Sequence, residues 1–127
     1  MTVRHLTEQT FEASVKEGIV LLDWWAAWCG PCRRFAPTFE AAAAKHPDVV
    51  FGKIDTEDQP GLAQAFDIRS IPTVMAFRDG LLLFSQPGVL SAAQLDDLIG
   101  QLKGLDMEDV RKKVAEHGGE HAAAPTA

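Results

Sequence analysis

A pair of cysteines directly after an apolar run is the feature of this 127-residue chain that most restricts its fold. Residues 19–25, Ile-Val-Leu-Leu-Asp-Trp-Trp, are apolar almost throughout, as in a strand that is covered on both faces. Cys29-Gly30-Pro31-Cys32 follows, and Gly30 and Pro31 shape a turn in which the second cysteine opens a helix. Cys29 is therefore expected at the positive end of a helix, where a thiolate is favoured over a thiol.

The segments around the cysteines predict alternating helices and strands. Thr7 is the expected N-cap of a first helix that ends at Gly18. A long helix follows over 32–45. Residues 49–55 form the next strand, which is parallel to the first because a helical crossover joins them. A short helix is expected over 61–66.

The second half of the chain predicts a hairpin and a closing helix. Residues 73–77 and 81–84 are the expected strands around Asp79-Gly80, a strong turn signal. Ser91 then caps a helix whose leucines recur on one face. A βαβ unit followed by a hairpin and a helix is an α/β order, and a mixed central sheet with helices on both faces is its compact solution.

Composition and charge restrict the classes of partner. The net charge of −6 argues against nucleic-acid binding. No apolar run approaches the roughly 20 residues that span a bilayer, and the first residues lack the apolar core of a signal peptide. We therefore expect a cytoplasmic protein that binds neither nucleic acid nor membrane. In that compartment a lone Cys-x-x-Cys is more often catalytic or metal-binding than structural.

Zinc binding is the alternative role for the two cysteines. A structural zinc site needs four ligands, the chain has no third cysteine, and its histidines are scattered at positions 5, 46, 117 and 121. His117 and His121 are separated by two glycines and a glutamate, so a solvated tail is the preferred interpretation of this segment. We expect no bound metal, and thiol–disulfide exchange is the favoured chemistry.

Residues 1–104 resemble the thioredoxin family in the order of their segments and motifs. The resemblance rests on Trp28-Cys29-Gly30-Pro31-Cys32 after an Asp-bearing strand, Pro37, Ile71-Pro72-Thr73, Gly80 and Gly88. It implies the thioredoxin fold, a mixed central β-sheet flanked by helices. Residues 105–127 extend past the usual end of the family's chains. We expect a short helix over 107–117, as a decoration or a docking element, and a flexible tail from 118 onwards.

The resemblance implies a protein-disulfide reductase. The Cys29 thiolate would attack a disulfide of a client protein, and Cys32 would resolve the mixed disulfide. Asp23 lies among apolar neighbours, so its pKa should rise, and by resemblance it would shuttle the proton of Cys32. Lys53 would tune Asp23, although a solvated lysine is an equally open interpretation. Pro72 is expected in the cis form, facing the cysteines.

A shallow apolar patch around Cys29 is the expected substrate-binding surface. Its residues are Trp28, Gly30, Pro31, Ile71, Pro72, Gly88 and Val89. Such a surface accepts many proteins, and the backbone of Ile71 is expected to pair with an extended target segment. Arg33 and Arg34 stand where a lysine is usual in the family, which adds positive charge beside the thiolate and shifts the choice of partner.

Electrons must come from another protein, because the chain has no nucleotide or flavin motif and no cofactor is expected. The resemblance implies a thioredoxin reductase as the donor and a monomer as the working form. Gly-Pro between the cysteines accompanies reducing members of the family. A non-enzymatic binding module that grips a partner through the same surface is the alternative, motivated by the C-terminal extension. An oxidant or isomerase fits poorly with the missing signal peptide.

Overall fold

A computed structural model describes residues 3–116, which form ten helices and strands. The strands are β1 Val3–His5, β2 Ile19–Trp25, β3 Val50–Asp55, β4 Thr73–Arg78 and β5 Leu81–Pro87. The helices are α1 Phe11–Val15, α2 Gly30–Lys45, α3 Pro60–Ala65, α4 Ala92–Lys103 and α5 Met107–Glu116. Within these residues, no helix combines the length and apolar character that crossing a membrane requires.

The strands form one mixed sheet in the order β1–β3–β2–β4–β5. β1 and β2 both pair with β3 in parallel, whereas β4 runs antiparallel to β2 and β5 antiparallel to β4. The most apolar strand, β2, is therefore central, and the turn after it carries the cysteines. The predicted mixed sheet flanked by helices is confirmed.

Alternate residues of β2 enter two separate hydrophobic cores, because successive side chains of a strand point to opposite faces. Leu21 packs in the core that contains Phe39 of α2 and Leu95 of α4. Leu22 and Trp24 enter the opposite core with residues of α1. The sheet is thus covered on both faces, which explains the near-absence of polar residues in β2.

The start of the chain differs from its prediction. β1 was not among the predicted elements, because a three-residue strand has too few positions to show an alternating pattern. Its place comes from pairing of Val3 with Phe51 in β3. The prediction that Thr7 is an N-cap is wrong. The helix begins at Phe11 after Thr10, whose hydroxyl accepts a hydrogen bond from the backbone N–H of Thr7 at 2.9 Å.

The predicted hairpin and the last cap of the fold are confirmed. Asp79 and Gly80 have φ angles of 52° and 85°, the left-handed conformations that a tight two-residue hairpin turn requires. At the start of α4, the Ser91 hydroxyl accepts the N–H of Gln94, and the Gln94 side chain accepts the N–H of Ser91. A cap of this kind stabilises a helix by about 1 kcal/mol.

The C-terminal helix α5 packs on the domain. Met107 is buried, and the Arg78 guanidinium on β4 donates hydrogen bonds to the carbonyls of Leu102 and Leu105. Arg111 of α5 lies 3.6 Å from the carboxylate of Asp79. The expected short C-terminal helix is therefore present. The expected flexible tail from 118 onwards, with His117 and His121, falls outside the described residues.

Candidate active site

Cys29 and Cys32 are joined by a disulfide across the first turn of α2, with their Cα atoms 5.2 Å apart. Cys29 is the N-cap residue, and Pro31 occupies the first turn, where its missing N–H has no helical partner to lose. The Cys29 sulfur accepts the backbone N–H of Cys32 at 3.2 Å. The positive end of the helix and this N–H both favour negative charge on Cys29.

The disulfide lies at the base of an apolar surface. Cys29 is 4% exposed and Cys32 is 2% exposed, so both cysteines are almost fully buried in the oxidised form. Trp28 beside them is 67% exposed and Val89 is 52% exposed, the two large apolar side chains most open to solvent within residues 3–116. Exposed apolar side chains next to a reactive bond are typical of a surface that binds other proteins.

The Ile71–Pro72 peptide bond is cis, as expected from the resemblance. The carbonyl oxygen of Ile71 lies 3.7 Å from the Cys29 sulfur. The Pro72 carbonyl accepts the N–H of Gly88 at 2.7 Å, so the loop that carries Gly88 and Val89 is attached beside the cysteines. Most of the expected substrate-binding residues are therefore brought to one place from three separate segments of the chain.

Asp23 is fully buried in the central strand. Across residues 3–116, neither of its carboxylate oxygens has a hydrogen-bond partner. Burial raises the pKa of Asp23 from 3.8 to about 7, because desolvation penalises the carboxylate, and the positive charge of Lys53 opposes this rise. A carboxyl group with this pKa exchanges protons readily near neutrality.

Lys53 stands opposite Asp23, since the two residues are register partners on β3 and β2. Its side chain is half-buried, and the ammonium nitrogen lies 4.6 Å from the centre of the Trp25 ring. A cation over an aromatic face is held there by the ring quadrupole. The structure thus places the Lys53 ammonium over Trp25 and its backbone beside that of Asp23, and the tuning of Asp23 by Lys53 stays a prediction.

An open groove of about 440 Å³ extends from the cysteine turn between α2 and the loop before α4. Its apolar walls come from Pro31, Phe35, Val89 and Leu90, and Arg34 lies along it. The predicted surface included Pro31 and Val89 but missed the rest of the groove. Phe35 lies within the predicted helix over 32–45, and no sequence signal places that helix beside the loop before α4.

No cluster of three or more potential metal ligands occurs among the histidine, cysteine, aspartate and glutamate side chains of residues 3–116. The two cysteine sulfurs are bonded to each other, so neither is available to a metal in this form. The chemistry that the arrangement supports is the opening and closing of this disulfide.

Comparison with known sequences identifies close relatives. The family model described as thioredoxin matches residues 2–101. A protein of Streptomyces coelicolor assigned as a thioredoxin 2 is 55% identical over 112 residues, which cover 87% of this chain and 84% of the relative. Thioredoxin of Chlamydia trachomatis is 35% identical over 99 residues, which cover 78% of this chain and 97% of the relative.

Solved structures lead to the same family. Chloroplastic thioredoxin z superposes with a TM-score of 0.76 at 26% identity, covering 83% of this chain and 97% of that one. A mutant thioredoxin of Halobacterium salinarum gives 0.75 at 31% identity, covering 81% of this chain and 92% of that one. The chain belongs to the thioredoxin family and is a thiol–disulfide oxidoreductase that reduces protein disulfides through Cys29 and Cys32.

Proposed function

We propose that Cys29 is the nucleophile and Cys32 the resolving thiol of this reductase. In the reduced protein, the Cys29 thiolate attacks one sulfur of a client disulfide. A new bond forms between Cys29 and that sulfur, the client disulfide breaks, and the other client sulfur leaves as a thiolate. The backbone N–H of Cys32 and the positive end of α2 stabilise the attacking thiolate relative to the thiol.

Asp23 is the proposed base for the second half of the reaction. Cys32 must lose its proton before it attacks Cys29, and a carboxylate whose pKa is about 7 can accept that proton at neutral pH. The Cys32 thiolate then forms the Cys29–Cys32 disulfide and expels the second client thiolate. Two electrons pass from the protein to the client, and Lys53 tunes the base because its charge favours the ionised form of Asp23.

The proposed binding surface surrounds the attacking sulfur. It consists of Trp28, Gly30, Pro31, Ile71, Pro72, Gly88 and Val89. Within residues 3–116 the backbone N–H of Ile71 has no hydrogen-bond partner, which supports its pairing with an extended client segment. Pro72 has no N–H, so it offers the client segment no second backbone donor next to Ile71.

Clients of the family contain disulfides, and we propose that a thioredoxin reductase regenerates the dithiol form of this chain. We further propose that the protein works as a monomer in the cytoplasm. Residues 1–104 would then be the catalytic domain and 105–127 an extension. The burial of Met107 and the hydrogen bond from Arg78 to the Leu105 carbonyl support a stabilising role of this extension rather than a catalytic one.

The observation that carries the proposal is the position of the Cys29 sulfur. It caps a helix and lies 3.7 Å from the carbonyl of Ile71, under exposed apolar side chains. The test is the reduction of insulin by dithiothreitol, with and without the protein. We expect the wild-type protein to accelerate the reaction and Cys29→Ser to give the rate of dithiothreitol alone. Acceleration by Cys29→Ser would contradict the assigned nucleophile.

A further inference from the structure

The groove beside the cysteine turn carries one formal charge. Of the eight residues that line it, four are apolar, three are uncharged and polar, and Arg34 is the charged one. Arg34 has no salt bridge to any of residues 3–116. The groove is therefore an apolar surface with an unneutralised cation at its edge, although the whole chain has a net charge of −6.

Arg34 lies close to the reacting bond. It is one helical turn after Pro31, on the same face of α2. Its guanidinium folds back over the turn: a Cβ atom built on Gly30 would lie 3.4 Å from the Nη1 atom of Arg34. Gly30 stands between the two cysteines in the chain, so the guanidinium lies against the turn that carries them.

The neighbouring Arg33 has a different environment. Its Nη1 donates a hydrogen bond to the carbonyl of Ala27 at 3.0 Å, and its side chain does not line the groove. Two adjacent arginines thus differ in the surface that they face, which makes Arg33 a matched control for Arg34.

We propose that this groove binds an extended client segment that carries a carboxylate, and that Arg34 selects for it. The inference rests on the proposed function, because it names the class of client that the same site reduces best. The backbone of Arg34 lies about 7.5 Å from that of residue 29 along the helix, and its guanidinium folds back toward Gly30. The selected acidic residue therefore lies one to three extended positions from the cysteine that Cys29 attacks.

The net charge of the protein makes this preference distinctive. A chain with a charge of −6 repels an acidic peptide in general and attracts a basic one. A local ion pair with Arg34 predicts instead that an acidic peptide reacts faster than a basic one. Because the guanidinium is exposed, the gain is that of a surface ion pair, about 2- to 5-fold in rate.

The experiment uses the reduced full-length protein and peptide pairs joined by a disulfide. One peptide carries Glu, Gln or Lys one to three residues before or after its cysteine, and the rate constant of reduction is measured in low salt. We expect the Glu peptide to react about 2- to 5-fold faster than the Lys peptide. The ratio of the Glu-peptide rate to the Lys-peptide rate should fall to 1 or below in Arg34→Ala. In Arg34→Glu the Lys peptide should react faster than the Glu peptide, and in Arg33→Ala the wild-type ratio should be retained. The wild-type ratio should also shrink near 1 M salt, where the Debye length is about 3 Å.

Glu, Gln or Lys in the peptide can itself change the reactivity of the peptide's thiol. This effect is the same for every protein variant, because the same peptides are used throughout, so it cancels when the Glu-to-Lys rate ratio is compared between variants. An unchanged ratio in Arg34→Ala, or an equal loss in Arg33→Ala, overturns the acid preference and leaves the reductase function intact. Failure of the wild-type protein to reduce the neutral Gln peptide overturns the proposed function together with the preference.

Discussion

Asp23 and Lys53 are register partners on two adjacent parallel strands, and the carboxyl group of this pair is fully buried. Within residues 3–116, the Asp23 oxygens accept no hydrogen bond, and the Lys53 ammonium stands over the ring of Trp25. The protonation of Asp23 is therefore set by two opposed effects, burial and the charge of Lys53. Three predictions depend on this balance.

The first prediction concerns the kinetics of Asp23→Asn. Removing the base should slow the attack of Cys32 more than the attack of Cys29, by about 10- to 100-fold near neutral pH. A quenched-flow experiment with a disulfide peptide should then show the mixed disulfide accumulating. In the wild-type protein the second step should speed up as the pH rises through about 7, as Asp23 ionises.

The control for this experiment is Glu40→Gln, which makes the same carboxyl-to-amide change at an exposed position of α2. We expect this variant to follow the wild-type time course. If Asp23→Asn slowed the first attack as strongly as the second, the assignment of Asp23 to Cys32 would be wrong.

The second prediction concerns stability. The folded protein retains the Asp23 proton up to about pH 7, whereas the unfolded chain releases it near the ordinary pKa of 3.8. The contribution of Asp23 to the free energy of unfolding is thus present below pH 4 and is lost as the pH rises to about 7. At 1.36 kcal/mol per pH unit, this loss is about 4 kcal/mol.

Urea unfolding of the oxidised wild-type protein and of Asp23→Asn, over a series of pH values, measures this loss. The difference between the two curves should favour the variant increasingly from about pH 4 to about pH 7 and then stay constant. Other carboxylates with a lowered pKa, such as Asp96 beside His46, make the folded protein less stable in acid. Their effect is the same in both proteins and cancels in the difference between the curves. Parallel curves would show that the pKa of Asp23 is not raised by folding.

The third prediction separates the charge of Lys53 from its packing. Because the ammonium lowers the pKa of Asp23 against the effect of burial, Lys53→Met should raise that pKa further. Lys53→Arg keeps the charge and serves as the control. The carboxyl signal of Asp23, followed by NMR titration, should move to higher pH in the first variant and much less in the second. An identical titration in all three proteins would support the solvated interpretation of Lys53.

The fourth prediction concerns the C-terminal helix. Met107 is buried against the domain, so Met107→Ala should lower the free energy of unfolding by about 2 kcal/mol. Lys112→Ala, at an exposed position of the same helix, should change it by less than about 0.5 kcal/mol. Insulin reduction should be unaffected in both variants below their unfolding transitions. Loss of activity without loss of stability in Met107→Ala would indicate a docking role for this helix.

The sequence was most informative where local chemistry decides the structure. The strand at 19–25 and the turn at Asp79-Gly80 depend on nearby residues, and both are confirmed. The cap at Ser91 is local as well. β1 depends instead on pairing with β3, which no local pattern records. Thr7 was assigned wrongly because the observed cap, Thr10, is also a threonine and lies only three residues further along the chain.

In the site, too, features that depend on nearby residues were predictable and features that depend on distant contacts were not. The position of Cys29 at a helix end and the burial of Asp23 follow from the residues around them. The cis form of Pro72 was expected only from the family resemblance. The groove beside Arg34 needs α2 and the loop before α4 to meet in space, so its shape was outside the reach of local patterns.

The most direct test of the nucleophile assignment is to trap its covalent intermediate. Cys32→Ser, reduced and mixed with an excess of a disulfide-linked peptide, should accumulate a one-to-one mixed disulfide. Mass spectrometry of the digested complex should locate the peptide on residue 29. Cys29→Ser, which retains the Cys32 thiol, should trap little or no peptide under the same conditions. Equal trapping by the two variants, or trapping by Cys29→Ser alone, would contradict the assignment of Cys29 as the attacking thiolate.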